Sequence, residues 1–195
     1  MSELVDAKGL ACPEPVVLTK KALDSCDNVT VLVDNTTALE NVKRLASSSG
    51  CGVNVTEDPA GIFRIRLKKQ QSDKSESAPS QTAQGSTVFV IASETMGNGN
   101  DELGALLMKA FLHTTTDLEH RPDVLILYNT GARLAAADSG AVDDLKALEE
   151  KGVRILVCGT CVNFFGLGGR LGAGTVSNMY DIAGILSTAG RIVKP

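Results

Sequence analysis

The chain has no excess of positive charge, almost no histidine and no long apolar run, and each shortage closes a class of function. At a net charge of -4 and an isoelectric point near 5.2, it lacks the basic footprint of a general nucleic-acid binder, so no nucleic-acid partner is expected. No apolar stretch reaches the ~18 residues a membrane span needs, and the opening MSELVDAKG is acidic where a secretory leader would be basic and then apolar. A cytoplasmic protein without a membrane partner is expected. Its only histidines are His113 and His120, and no second C-x-x-C follows the one it has, which leaves a zinc site short of ligands. Neither metal nor cofactor is expected.

What is present is an ordinary globular composition, 43% hydrophobic and 22% charged over 195 residues, compatible with one or two domains. Five cysteines remain to be explained: Cys12, Cys26, Cys51, Cys158 and Cys161. An odd number in a reducing compartment argues against a disulfide framework, so burial or chemistry must account for them.

The clearest internal boundary is KKQQSDKSESAPSQTAQGS, which has no residue larger than Ala able to anchor a core. It divides the chain into a domain over 1–68, a flexible linker over 69–86 and a domain over 87–195, with the acidic excess mainly in the last. In the first, ELVDA reads as a strand, followed by a helix from Pro13 whose Leu18, Ala22 and Cys26 recur at i, i+4, i+8 beside Val16 and Leu23. VTVLVD alternates as a strand, and Thr37 to Glu40 forms a capping box for a helix with Ala38, Val42, Leu45 and Ala46 on one face, closed by Gly50. CGVNVTE and IFRIRL around DPAG read as a hairpin. The order β-α-β-α-β-β predicts a two-layer α/β sandwich.

In the second domain TVFVIAS, VLILYN and RILVCG are nearly continuous apolar runs of the kind buried on both faces of a parallel sheet. Between the first two, Leu103, Leu106, Leu107, Ala110 and Phe111 follow helical spacing and predict a strong amphipathic helix. A helix over about 141–151, a late helix in SNMYDIAGILSTA and a last strand near Arg191 complete an α/β alternation. A doubly wound, mainly parallel sheet is expected, with functional residues at the carboxyl ends of its strands.

Two sequences carry the candidate chemistry. In GLACPEP, a helix starting at Pro13 would put Cys12 at the N-cap, where the positive end of the helix dipole favours a thiolate. Pro13 and Pro15 stiffen that turn, and Glu14 alone among the first three helical positions keeps an N–H to offer the sulfur. Elsewhere CGTC places Cys158 and Cys161 at a strand end, as a redox dithiol, half a zinc site or a second sulfur-handling site. Either both thiols are open, or Cys158 lines the sheet and only Cys161 is exposed on the loop. GNGNDELG fits neither nucleotide fingerprint, and its Asn and Asp read as helix caps.

The segment DAKGLACPEPVVLTKKAL, with Gly9, Cys12, Pro13 and Pro15 in a Gly-x-x-Cys-Pro-x-Pro run, resembles the TusA/SirA family. That resemblance implies a sulfur carrier whose Cys12 accepts and relays a persulfide sulfur, with a donor protein such as a cysteine desulfurase and a separate acceptor. VFVIASETMGNGNDELGALLMKAFL, GVRILVCGTCVNFFGL and GTVSNMYDI resemble the DsrE/DsrF-like family, and the combination is similar to the YedF family. This implies a sulfurtransferase-like protein linked to selenium metabolism, Cys161 as the second thiol with Cys158 as an accessory, and a homo-oligomer formed through the second domain. GLGGRLGAG, Gly166 to Gly174, is expected as a flexible loop over Cys161, with Arg170 steering an anionic sulfur or selenium species. A linker of roughly 18 residues reaches on the order of 25 Å, enough for Cys12 to visit Cys161. Two other functions share these residues: a thiol redox protein using Cys158 and Cys161, and a regulatory scaffold in which the first domain only docks partners.

Overall fold

The computed structural model describes residues 2–11, 13–69 and 85–195; Cys12 and most of the expected linker lie outside them. The chain divides into two compact units, each with a sheet of its own.

In the first unit the order is β1 (Ser2–Asp6), α1 (Glu14–Ser25), β2 (Asn28–Val33), α2 (Thr36–Ser48), β3 (Cys51–Glu57) and β4 (Phe63–Lys69). The strands lie in the order β1-β2-β4-β3, with β1 and β2 parallel and the other pairs antiparallel. Register follows the hydrophobic pattern. Val29, Val31 and Val33 stand opposite Leu67, Ile65 and Phe63, so one face is apolar and packs on Ala22, Leu23, Ala38, Val42 and Ala46 of the two helices. Residues at the alternate positions, among them Leu4, Thr30, Asn54, Arg64, Arg66 and Lys68, form the other face.

The expected β-α-β-α-β-β sandwich is therefore present, with three local corrections. The helix after the Cys-Pro-x-Pro motif begins at Glu14, leaving Pro13 in the cap position at φ -98° and ψ 5°; Cys12 precedes the cap. Leu18 is 37% exposed, because α1 buries Pro15, Val16, Thr19, Ala22 and Leu23 instead. Thr19 can be buried there since its hydroxyl donates to the Pro15 carbonyl at 2.6 Å. For α2 the cap is Asn35, whose side chain accepts from the Ala38 N–H at 2.8 Å. Glu40 pairs with Lys43 instead of reaching back to the cap. Gly50, at φ +65°, ends that helix as anticipated.

The second unit contains β5 (Thr87–Ile91), α3 (Asp101–Asp117), β6 (Val124–Leu127), a 3-10 helix (Asn129–Ala135), α4 (Val142–Glu150), β7 (Arg154–Cys158), α5 (Gly159–Phe164), β8 (Thr175–Ser177), α6 (Met179–Thr188) and β9 (Arg191–Val193). All neighbours in the order β8-β7-β6-β5-β9 are parallel. Strand residues alternate between two covered faces. Phe89, Ile91, Leu125, Leu127, Ile155 and Val157 join Met108, Leu112, Leu145 and Leu148 of α3 and α4. Val88, Val90, Val124, Ile126, Leu156 and Cys158 join Ile182 and Ile185 of α6. The sheet is doubly wound as the apolar runs require.

Helix α3 is turned away from the expected orientation. Its buried residues are Gly104, Met108, Leu112, Thr115 and Thr116, while Leu103, Leu106 and Leu107 are 54%, 64% and 45% exposed. Asn100 caps it as foreseen, accepting from the Leu103 N–H at 2.8 Å. No helix among the described residues is long and apolar enough to cross a membrane.

Candidate functional site

At the carboxyl edge of the second sheet three chain segments leave β5, β6 and β7 side by side, and Cys161 lies where they meet. It is not on a loop, as expected, but in the first turn of α5, which starts directly from β7. Cys161 packs against the apolar clusters of both sheet faces, so it closes the end of the sheet. Its sulfur accepts a hydrogen bond from the backbone N–H of Asn129 at 3.1 Å. Cys158, by contrast, is 2% exposed and belongs to the core on the α6 face. Of the two arrangements the sequence left open, the one with Cys158 lining the sheet is present.

The Asn129 donor is held in place by its backbone. Asn129 has φ +51°, the only positive value at a non-glycine among the described residues, a conformation Asn tolerates better than most side chains. Tyr128 N–H donates to the Ile91 carbonyl at 3.2 Å. At Gly131 an added Cβ would collide with that same carbonyl oxygen. The 3-10 helix is thus seated on the end of β5, which fixes the N–H that faces the sulfur.

Polar groups bind the same three segments together. Glu94 N–H donates to Thr130 Oγ1 at 3.3 Å, and Ser93 and Thr95 share a hydroxyl bond at 3.0 Å. Arg133 donates to Glu94 Oε1 at 3.2 Å and stands over the Phe165 ring, 4.6 Å from its centre. Phe164, next to it, is 82% exposed.

Electrostatically the site resists ionisation. Burial, and then the charge of neighbouring Cys158, push the Cys161 thiol up from 9.0 to about 11, against the pull of the Asn129 N–H. At neutral pH Cys161 is a protonated thiol, and a strong nucleophile only when a base or a bound partner removes its proton.

Arg170, expected to steer an anion toward Cys161, is engaged with a carboxylate in this structure. It pairs with Asp138 at 3.0 Å, and its segment is pinned rather than flexible. Leu171 bridges Ala136, Gly172 N–H donates to the Ala135 carbonyl at 2.8 Å, and a side chain at Gly172 would strike Val142 and Ala137. Sequence reading missed Asn129, Glu94 and Arg133. The YNTGAR run after the β6 strand offered a signal, since polar residues following a buried parallel strand mark the functional end of such sheets.

In the first unit Pro13, Glu14 and Pro15 shape the turn beside Cys12. The Pro13 carbonyl accepts from Val16 and Val17 at 3.0 and 3.1 Å. Glu14 N–H is spent on the Ala11 carbonyl at 3.0 Å, which corrects the expectation that it points at the sulfur. Gly9, at φ +71°, donates its N–H to Asp34 Oδ2 at 2.7 Å, tying the motif loop to the end of β2. Cys26 and Cys51 pack in the core of this unit; burial pushes the Cys51 thiol up. Among the described residues no group of His, Cys, Asp and Glu is arranged to hold a metal ion.

A thiol set at the carboxyl edge of a doubly wound sheet, in a chain whose other unit is a two-layer sandwich with a Cys-Pro-x-Pro motif, defines a two-unit α/β protein with a cysteine motif in each unit. The comparisons narrow that class. Residues 76–195 match the family model described as DsrE/DsrF-like family, and residues 3–69 match the one described as Sulfurtransferase TusA. The chain belongs to the DsrE/DsrF-like family, with a TusA domain preceding it. A putative sulfur carrier protein of Methanocaldococcus jannaschii is 41% identical over 68 residues, covering 33% of this chain and 91% of that protein. Among solved structures, a SirA-like protein from Desulfitobacterium hafniense is 33% identical, covering 34% of this chain and 95% of its own, with a TM-score of 0.33. A protein of unknown function from Methanobacterium thermoautotrophicum is 24% identical, covering 56% and 97%, with a TM-score of 0.43. The two families tie the chain to sulfur relay in general terms.

Proposed function

We propose that the protein is a persulfide carrier with sulfurtransferase activity, in which Cys12 receives sulfur from a donor protein and passes it to Cys161. The observation that carries this reading is the Cys161 sulfur, held by the Asn129 N–H at 3.1 Å at the open end of the sheet, in a chain whose other unit carries the Cys-Pro-x-Pro motif. In each step a thiolate attacks the outer sulfur of a persulfide. One S–S bond forms, one breaks, and the former carrier leaves as a thiolate, so no external oxidant or reductant is needed.

Direction follows from leaving-group strength. A low-pKa thiol leaves faster and a high-pKa thiolate attacks better. Cys161, whose thiol is pushed up to about 11, is by that rule a strong attacker once deprotonated and a slow leaving group, so sulfur passed to it is held until an acceptor takes it. The segment over 69–86 acts in this reading as the tether between the domains over 1–68 and 87–195. The reading also places the protein in the cytoplasm as a homo-oligomer through its second unit, where Leu103, Leu106 and Leu107 offer an exposed apolar stripe. Perselenide follows the same chemistry.

A second reading is favoured by the interaction between the Cys158 and Cys161 side chains, which suits a reversible dithiol. One experiment separates the two. Intact mass is measured after incubation with a cysteine desulfurase and cysteine, for wild type, Cys12→Ser and Cys161→Ser. The relay predicts one added sulfur on wild type, none on Cys12→Ser, and retention on residue 12 in Cys161→Ser. Loss of two hydrogens at Cys158 and Cys161 without sulfur uptake would establish the dithiol instead, and a selenium cargo is recognised by its mass.

A further inference from the structure

The face of the first sheet turned away from α1 and α2 has a charge pattern unlike the rest of this acidic chain. Arg64, Arg66 and Lys68 occupy alternate positions of β4, an internal strand, so their side chains share one face at intervals of roughly 6.8 Å. All three are exposed. Their cross-strand neighbours on that face are neutral: Leu32, Thr30 and Asn28 on β2, and Thr56, Asn54 and Gly52 on β3. Asp6 of β1, a carboxylate on this face, is paired with Lys8 at 3.4 Å. With neutral residues opposite them on both sides, the three charges meet no cross-strand partner of opposite sign, and the row presents a surface of one sign to a partner.

The stripe is also placed for transfer. Arg64 stands opposite Leu32 at the end of the sheet where β2 runs into Asp34, the residue that holds the Gly9 N–H of the motif loop. Lys8 and Arg64 line one hollow there together with Leu32, Thr56, Ile62 and the carboxylates Glu57 and Asp58, so the hollow itself is of mixed charge and the basic character lies along the strand. A molecule lying along β4 therefore has its edge at the loop that leads into residue 12.

The chemistry of the face favours a protein over a nucleic acid. Among the described residues no aromatic side chain stands on it, whereas single-stranded nucleic acids are held by stacking platforms. Leu4, 61% exposed, adds the apolar contact that protein interfaces combine with arginine. We infer that this open face docks the protein that donates sulfur to the first unit, and that the donor meets it with a carboxylate-rich surface. The inference rests on the persulfide-carrier reading.

The test measures sulfur loading of the full chain from two sources, a persulfide-bearing cysteine desulfurase and glutathione persulfide. The small donor needs no docking surface. In the variant combining Arg64→Glu, Arg66→Glu and Lys68→Glu, loading from the desulfurase should fall about tenfold or more, while loading from glutathione persulfide stays at the wild-type rate. Arg66→Gln with Lys68→Gln should give a smaller loss, and wild-type loading from the desulfurase should slow with added salt. Unchanged desulfurase loading in the triple variant overturns the inference, as does an equal loss with both donors. Binding of a uridine 20-mer that the triple variant abolishes, with desulfurase loading intact, assigns the face to nucleic acid and overturns it too. If wild type takes no sulfur from glutathione persulfide, the carrier reading itself fails and the inference falls with it.

Discussion

The two units alternate strands and helices alike, yet the first covers one face of its sheet and the second covers both. The difference is written in the strands. In β2 and β4 apolar residues alternate with Thr, Asn, Arg and Lys, whereas β6 is VLIL, buried throughout. An alternating strand leaves a surface for charge and docking, while a continuous one commits both faces to packing and leaves only the sheet ends for chemistry. That is why the second unit carries its thiol at a strand end.

The largest expected effect tests that contrast directly. Ile126→Ala, at a fully buried position on β6, should cost about 2–5 kcal/mol of the second unit's stability. Arg66→Ala on the open face of β4 should stay within about 0.5 kcal/mol. Urea unfolding followed by hydrogen exchange in each unit measures both; equal losses would erase the distinction between the sheets.

A smaller effect sharpens the site. Gly131→Ala should push the 3-10 helix off β5 at a cost of about 1–3 kcal/mol and carry the Asn129 N–H away from Cys161. Burial is the main cause that pushes the Cys161 thiol up to about 11, and the Asn129 N–H pulls against it more weakly, so opening this end of the sheet should bring the midpoint for alkylation of Cys161 down. Mass-detected alkylation across pH reads this directly. The sign for stability follows from the same shift. The folded state keeps a proton that the unfolded state loses near 9.0, so the stability this group contributes falls as pH rises from there through about 11.

The smallest effect concerns the surface of α3. Asp144, 2.9 Å from His113, holds that imidazole above its usual 6.5. The stabilisation from the charged pair is present below 6.5 and is lost as pH rises through the folded-state value. Titration of the His113 ring by NMR should show a midpoint above 6.5, returning toward it in Asp144→Asn.

Element order and both layer arrangements were legible because apolar period and turn residues agreed, as at Asp58, whose side chain accepts from Ala60 and Ile62 in the hairpin. The facing of α3 was not. Its leucines form the more hydrophobic stripe, but packing selected Gly104, where a Cβ would lie 2.9 Å from that of Thr95. It also selected Thr115 and Thr116, whose hydroxyls bond back to the Phe111 and His113 carbonyls. Hydrophobicity cannot register close approach or satisfied hydroxyls. At the site, C-x-x-C revealed the thiols but not their separation into a core Cys158 and a sheet-end Cys161, which depends on α5 following β7 without a loop. Asn129 escaped notice because it acts through its backbone.

The edges of the two sheets bear on how the protein fails. The second sheet ends in β8 and β9, three residues each, too short to template another chain. The first ends in the seven-residue β3, mostly exposed along its length. Under stress, strand-to-strand aggregation should begin on β3, leaving the larger unit as a bystander.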